Sequence, residues 1–134
     1  MHPASGRTVW HLATSVSTAL VSVELAAFAE AAGASPQKQI VLVVDGAGWH
    51  DSPTVQVPAH VHLLFLPAYS PELQPAEHLW QFSDAPLVNR NFRDVEELEE
   101  AQLARCAVLQ DRQDLIRSAT LFSWWPKRIT KLQR

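Results

Sequence analysis

The chain has 134 residues, 47% of them apolar, and a formal net charge of −3 at neutral pH. That length and apolar fraction fit one globular domain with its own core and argue against disorder, while the weak negative charge excludes a global attraction to nucleic acid, so any DNA contact needs a local basic patch. Cys106 is the lone cysteine, which excludes an internal disulfide and a cysteine zinc cluster; the sequence also shows no apolar run of roughly 18 residues and no secretory leader, as expected for a cytoplasmic protein without a membrane partner.

Residues 1–7, with Pro3, Ser5 and Gly6, read as a turn. Residues 8–14, TVWHLAT, are rich in β-formers and predict a strand. Ser17 or Thr18 then caps a helix running to about Ala32, with Leu20, Val23, Ala27, Phe28 and Ala31 as its apolar face, Gly33 just past its end and Pro36 soon after. Two short apolar runs follow, 40–44 and 61–66, bounded by Asp45-Gly46 and by Pro67. Continuous apolar runs of this length predict strands buried on both faces. The order strand, helix, strand predicts an α/β layer.

Pro71 and Pro75 punctuate the next connection. Pro75 suits a first helical turn, which makes Gln74 the N-cap and places Glu77 at the third helical position; residues 83–86 end that helix. Asp94 opens another helix, with Glu97 in capping-box position and a stripe of Val95, Leu98, Cys106 and Leu109, Leu103 lying on its shoulder. A short helix is predicted over 115–122. The chain finishes on WWPKRITKLQR, basic and aromatic.

Asp45 and Glu77 are the main chemical pair. Asp45 ends a predicted strand and Glu77 sits in the first turn of the helix after the next one; ligand chemistry in open α/β sheets gathers at the carboxyl ends of strands. If the two strands are neighbours, both carboxylates reach one point. Oxygen ligands suit a hard cation such as magnesium, and carboxylate-held metals support phosphodiester cleavage. The same residues also fit ordinary roles, an Asp before Gly in a turn and a Glu as a capping partner. His50, His60 and His62 offer a zinc alternative with Asp45 or Asp51, though their spacing matches no standard pattern. A serine hydrolase is disfavoured because G-x-S-x-G is absent. In the tail, Lys127, Arg128, Lys131 and Arg134 beside Trp124 and Trp125 could hold phosphates and stack bases, or form a solvated end with the tryptophans tucked inward.

VVDGAGWH and HLLFLPAYSPELQPAEHLW, at this spacing, resemble transposases of bacterial insertion sequences related to the Tc1/mariner superfamily. The family pattern is a strand ending in Asp, a nearby Gly-Trp-His, then L-P-x-Y-S-P-x-L-N-P-x-E-x-x-W. Leu66, Pro67, Tyr69, Ser70, Pro71, Leu73, Pro75, Glu77 and Trp80 occupy those places. The resemblance implies a ribonuclease-H-like catalytic domain, α/β with a mixed sheet flanked by helices, whose two Asp and one Glu bind two magnesium or manganese ions. It implies hydrolysis of DNA at transposon ends and joining of the freed 3′-hydroxyl to target DNA. Carried over by position, Asp45 matches the second Asp and Glu77 the final Glu, with Trp49 and His50 as supporting residues and Tyr69 and Ser70 on the loop that aims the Glu-bearing helix; Lys127, Arg128 and Lys131 are the expected DNA contacts.

Two departures matter. Gln74 stands where the family has Asn, a better N-cap. Before Asp45 the only acidic residues are Glu24 and Glu30, both in the predicted first helix, so no residue matches the first catalytic Asp. The expectation is therefore a partial catalytic domain, lacking the first strand, most of the second and the helix-turn-helix domain, and inactive alone. Its expected partners are DNA and an upstream-encoded transposase half or a full-length transposase; the alternative is a non-catalytic remnant or interaction module.

Overall fold

A computed structural model describes residues 1–46 and 53–125. In chain order it contains α1 (Thr18–Ala32), β1 (Ile40–Val44), β2 (Val61–Phe65), a 3-10 turn (Pro71–Leu73), α2 (Glu77–Asp84), α3 (Val95–Gln110) and α4 (Gln113–Thr120). The expected α/β character is present. Among the described residues, however, the sheet is a parallel pair rather than a larger mixed sheet.

Helix α1 has the ends its sequence calls for. Ser17 is extended and its hydroxyl accepts the Leu20 N–H at 3.2 Å. Gly33 takes φ 71°, its N–H bonds back to the last turn, and the Lys38 ammonium donates to the Ala32 carbonyl. A cation on the final carbonyls complements the helix dipole. The buried face differs from the predicted one. Leu25 and Ala29 are buried, whereas Val23 is 63% exposed and Ala27 and Ala31 face solvent. TALVSVELAAFAEAA is apolar nearly all round, so periodicity alone selects no face; the neighbouring elements do.

β1 and β2 pair in parallel from Ile40↔Val61 to Val44↔Phe65. The Ile40 N–H donates to the His60 carbonyl at 2.8 Å and the Leu66 N–H to the Val44 carbonyl at 2.9 Å. In a parallel ladder alternate residues bond to one neighbour. Ile40, Leu42 and Val44 therefore bond to β2, and the backbone groups of Val41 and Val43 point to the opposite edge, where no strand pairs among the described residues. The expectation of burial on both faces fails. Val44 and Val61 are buried on one face, but Val41 and Leu64 on the other are 63% and 54% exposed. The described helices α2, α3 and α4 pack on one another rather than over that face.

The predicted strand over 8–14 is also absent. His2 and Arg7 form an antiparallel bridge that closes the N-terminal turn, and 8–14 run on without a ladder partner. β-propensity describes fit to a sheet surface and creates no strand where nothing pairs. Local contacts hold the segment instead: Trp10 Nε1 donates to Thr8 Oγ1 at 3.0 Å and His11 pairs with Glu24 on α1.

The packed centre lies among α2, α3 and α4. Leu79, Ser83, Cys106, Leu109, Ile116 and Thr120 are its buried residues. The Arg105 guanidinium Nε donates to the Phe82 carbonyl at 2.7 Å and joins α3 to the end of α2. Of the stripe predicted for α3, Cys106 and Leu109 are buried, whereas Val95 and Leu98 in its first half stay exposed, as does Leu103 on the shoulder. Burial raises the pKa of the Cys106 thiol above its ordinary value.

At the head of α3, the Asp94 carboxylate accepts the Glu97 N–H at 2.8 Å. Glu97 completes only half of the expected box. Its carboxylate turns to Arg93, accepting the backbone N–H at 2.9 Å and Nε at 3.1 Å. The backbone hydrogen bond, then the side-chain one, holds Glu97 below the usual carboxylate range. A lowered folded-state pKa gives stability that is present above the unfolded value and lost as pH falls through the folded one. Acidification through that range should therefore fray the first turn of α3, and Glu97→Gln should remove that part of the pH response. Amide exchange at Glu97 and Leu98 measures it; a profile unchanged by the substitution would contradict the assignment.

Candidate functional site

The two predicted carboxylates come from the sheet and from the helix that follows it. Asp45 directly follows β1, at the carboxyl end of the parallel pair, and is exposed, with Gly46 after it in open space. At that end β2 is locked to β1 by the bond from Leu66 to Val44. The chain then turns back towards the sheet. Tyr69 has φ 58° and a fully exposed side chain, Ser70 starts the 3-10 turn with its hydroxyl on the Ala68 carbonyl at 3.4 Å, and Leu73 and Gln74 bond back to Ser70 and Pro71.

Gln74 keeps the extended backbone of a cap (φ −100°, ψ 102°) and its carbonyl accepts the Glu77 N–H at 3.1 Å. The turn over Pro75 and Ala76 closes with three-residue bonds to His78 and Leu79, so regular helix begins at Glu77, later than predicted. Glu77 nonetheless sits in the first turn, where the dipole favours a negative charge. It is exposed, and among the described residues no hydrogen bond or ion pair engages its carboxylate.

One cavity touches both approaches to the site. Its volume is about 470 Å³, and its walls include Val41 and Val43 on the open edge of β1, Phe28 on α1, and Gln74 and Ala76 leading into Glu77. The loop that leads into α2 and the strand that leads to Asp45 thus line one cavity, while Asp45 and Glu77 themselves are not among its walls.

Both groups present only oxygen donors, chemistry that suits a hard divalent cation retaining several waters. Among the described residues no group of three or more His, Cys, Asp or Glu side chains is placed to hold a metal, so a two-ion site needs at least one further ligand. The zinc alternative gains no geometry either. His60 Nδ1 and His62 Nε2 lie 3.1 and 2.9 Å from the two ends of the Gln39 side-chain amide, which spaces them apart at the amino ends of the strands. Trp49, His50 and Asp51, and the basic residues Lys127, Arg128, Lys131 and Arg134, fall outside the described residues.

An aromatic row beside Glu77 went unnoticed in the sequence. His78 and Phe122 meet edge to face at 4.9 Å, Phe122 and Trp124 at 5.4 Å, and Trp124 and Trp125 at 5.9 Å. The tail aromatics were visible; their approach to α2 was not, because 44 positions separate residues 78 and 122.

Comparison with known proteins supplies the rest. No solved structure matches the chain. An uncharacterized protein of Sinorhizobium fredii, y4pE/y4sA, is 42% identical over 85 residues, which is 63% of this chain and 63% of that relative, so the chain spans less than two thirds of that relative's length. The profile of the DDE superfamily endonucleases matches residues 4–99, a span that contains α1, both strands, Asp45, the turn over Tyr69 and Ser70, and Glu77. With most of its length under that profile, the chain belongs to the DDE superfamily endonucleases.

Proposed function

We propose that this chain is the carboxyl-side part of a DDE transposase catalytic domain of the insertion-sequence type related to Tc1/mariner, and that Asp45 and Glu77 are two of its three metal-binding carboxylates. The supporting observation is the placement of Asp45 just past the carboxyl end of β1 and of Glu77 in the first turn of α2, with β1 and the loop into α2 lining one cavity. Magnesium, or manganese, supplies Lewis acidity at the scissile phosphate when bound. The protein's part is to fix geometry. The β1–β2 ladder holds Asp45, and the 3-10 turn with Pro75 fixes the start of α2 and so Glu77. Tyr69 carries left-handed backbone, costly for a non-glycine residue, beneath a side chain in full contact with solvent; strain of that kind collects at ligand-contact positions. The substrate is DNA, as transposon ends and target, with Lys127, Arg128 and Lys131 contacting phosphates.

The third carboxylate, on this reading, arrives on a strand that adds to the open edge of β1. That strand comes from sequence upstream of residue 1 or from a second polypeptide. The purified chain with magnesium and transposon-end DNA should then cut nothing, and adding the upstream polypeptide in trans should restore strand cleavage. Robust cleavage by the chain alone would sink the proposal. The same open edge supports a second reading, a non-catalytic module that pairs with full-length transposase; stable pairing without cleavage, Asp45 and Glu77 intact, would favour it.

A further inference from the structure

The aromatic row that starts at the residue after Glu77 is not explained by packing. Ile116 and Thr120 at the end of α4 are fully buried, and the Thr120 hydroxyl donates to the Ile116 carbonyl at 2.7 Å. From that anchor the chain leaves into a turn in which the Trp125 N–H donates to the Phe122 carbonyl at 3.0 Å. Phe122 rests against the exposed His78 ring, edge to face, and Trp124 leans on Phe122. Trp124 is nevertheless 53% exposed. A tryptophan buries more area than almost any other side chain when it turns inward, yet here the turn holds half of it in water. The ring planes of the row are tilted by 47–72° to one another, and Trp124 presents an apolar face to solvent at its outer side.

Charge indicates what comes to that surface. The nine residues following Trp125, PKRITKLQR, contain four basic and no acidic residues. A displayed aromatic face continuous in sequence with a cationic segment is complementary to a polyanion that carries planar rings. Nucleotides have that composition; an apolar protein face does not. A paired base hides both ring faces inside the duplex stack, so an aromatic platform can take only unpaired or terminal bases.

We infer that His78, Phe122, Trp124 and Trp125 form a stacking platform that captures unpaired DNA bases beside Glu77, distinguishing opened strands from intact duplex. This rests on the DNA reading given above and adds to it a preference for single strands. Phe122, Trp124 and Trp125 lie beyond residues 4–99, the span matched by the family profile.

The test is binding of fluorescein-labelled oligothymidylate of about ten nucleotides, against a duplex of the same length, by the full chain in EDTA, so that no metal-dependent step enters. Oligothymidylate should bind the more tightly and quench tryptophan fluorescence. Trp124→Ala should weaken that binding roughly tenfold while duplex affinity changes little, since stacking on one base is lost and phosphate contacts remain. Trp124→Phe keeps a ring and should retain most of the affinity, which separates stacking from folding; circular dichroism of both variants checks the helices. Oligothymidylate binding that Trp124→Ala leaves unchanged would overturn the inference. So would tighter binding of duplex, which would leave the DNA reading standing. Failure to bind either DNA would remove both.

Discussion

Magnesium affinity should fall by roughly tenfold in Asp45→Asn and again in Glu77→Gln, as expected when a charged ligand is replaced by its neutral isostere. Both residues are exposed, so neither change leaves a cavity or a buried unpaired group, and the fold should survive. The informative quantity is the double variant. If the two carboxylates hold one ion, removing the first weakens the site that the second serves. The losses then fail to add, because residues sharing a ligand couple. If they act separately, the double loss equals the sum of the singles. Isothermal titration of the four proteins distinguishes these outcomes. Binding that is unaffected in all of them would show that no metal is held at Asp45 and Glu77.

The second large effect concerns the N-terminal turn. Gly6 has φ 73°, and a Cβ there would come within 2.1 Å of the Gln113 carbonyl oxygen, at the start of α4. Two penalties combine in Gly6→Ala. The left-handed backbone disfavours any Cβ, and the obstacle is main chain, which cannot swing aside. Together they should destabilise the protein by about 2–4 kcal/mol, lowering Tm by about 10 °C. Gly33 supplies the control. It has nearly the same φ, 71°, but its Cβ would meet nothing closer than the flexible Lys38 ammonium at 3.8 Å. Gly33→Ala should therefore cost only the conformational part, about 1 kcal/mol. Equal melting temperatures for the two variants would mean that the turn does not seat on α4.

What could be read from the sequence follows the range of the forces involved. Ser17, Gly33 and Asp94 mark helix ends through bonds made within a few residues, and the structure places those ends where the residues direct. The strands at 40–44 and 61–65 were legible because their apolar runs stop at Gly and Pro. Failures occurred where a partner elsewhere decides the outcome. Residues 8–14 have strand composition but no strand to join, and the face of α1 is chosen by its neighbours rather than by its nearly uniform sequence. The site shows the same division. Asp45 and Glu77 can be named from motif and strand ends; the structure puts Asp45 just past β1 and Glu77 in the first turn of α2, while their convergence on one ion is left to the metal titration. The contact between His78 and Phe122 depends on how α4 lies across α2, which no local pattern encodes.

The seating of Gly6 against Gln113 also bears on how the chain comes to be folded. These residues are roughly a hundred positions apart, so closing that contact carries one of the largest loop entropies in the molecule. During synthesis the turn over residues 1–7 emerges well before its docking surface on α4. The first helix and the strand pair can form as they leave the ribosome, but the Gly6 turn has no seat on Gln113 until α4 has emerged. Premature termination before α4 would therefore remove more than a short helix: it would leave the turn over residues 1–7 undocked, with apolar surface available to proteases and to other chains.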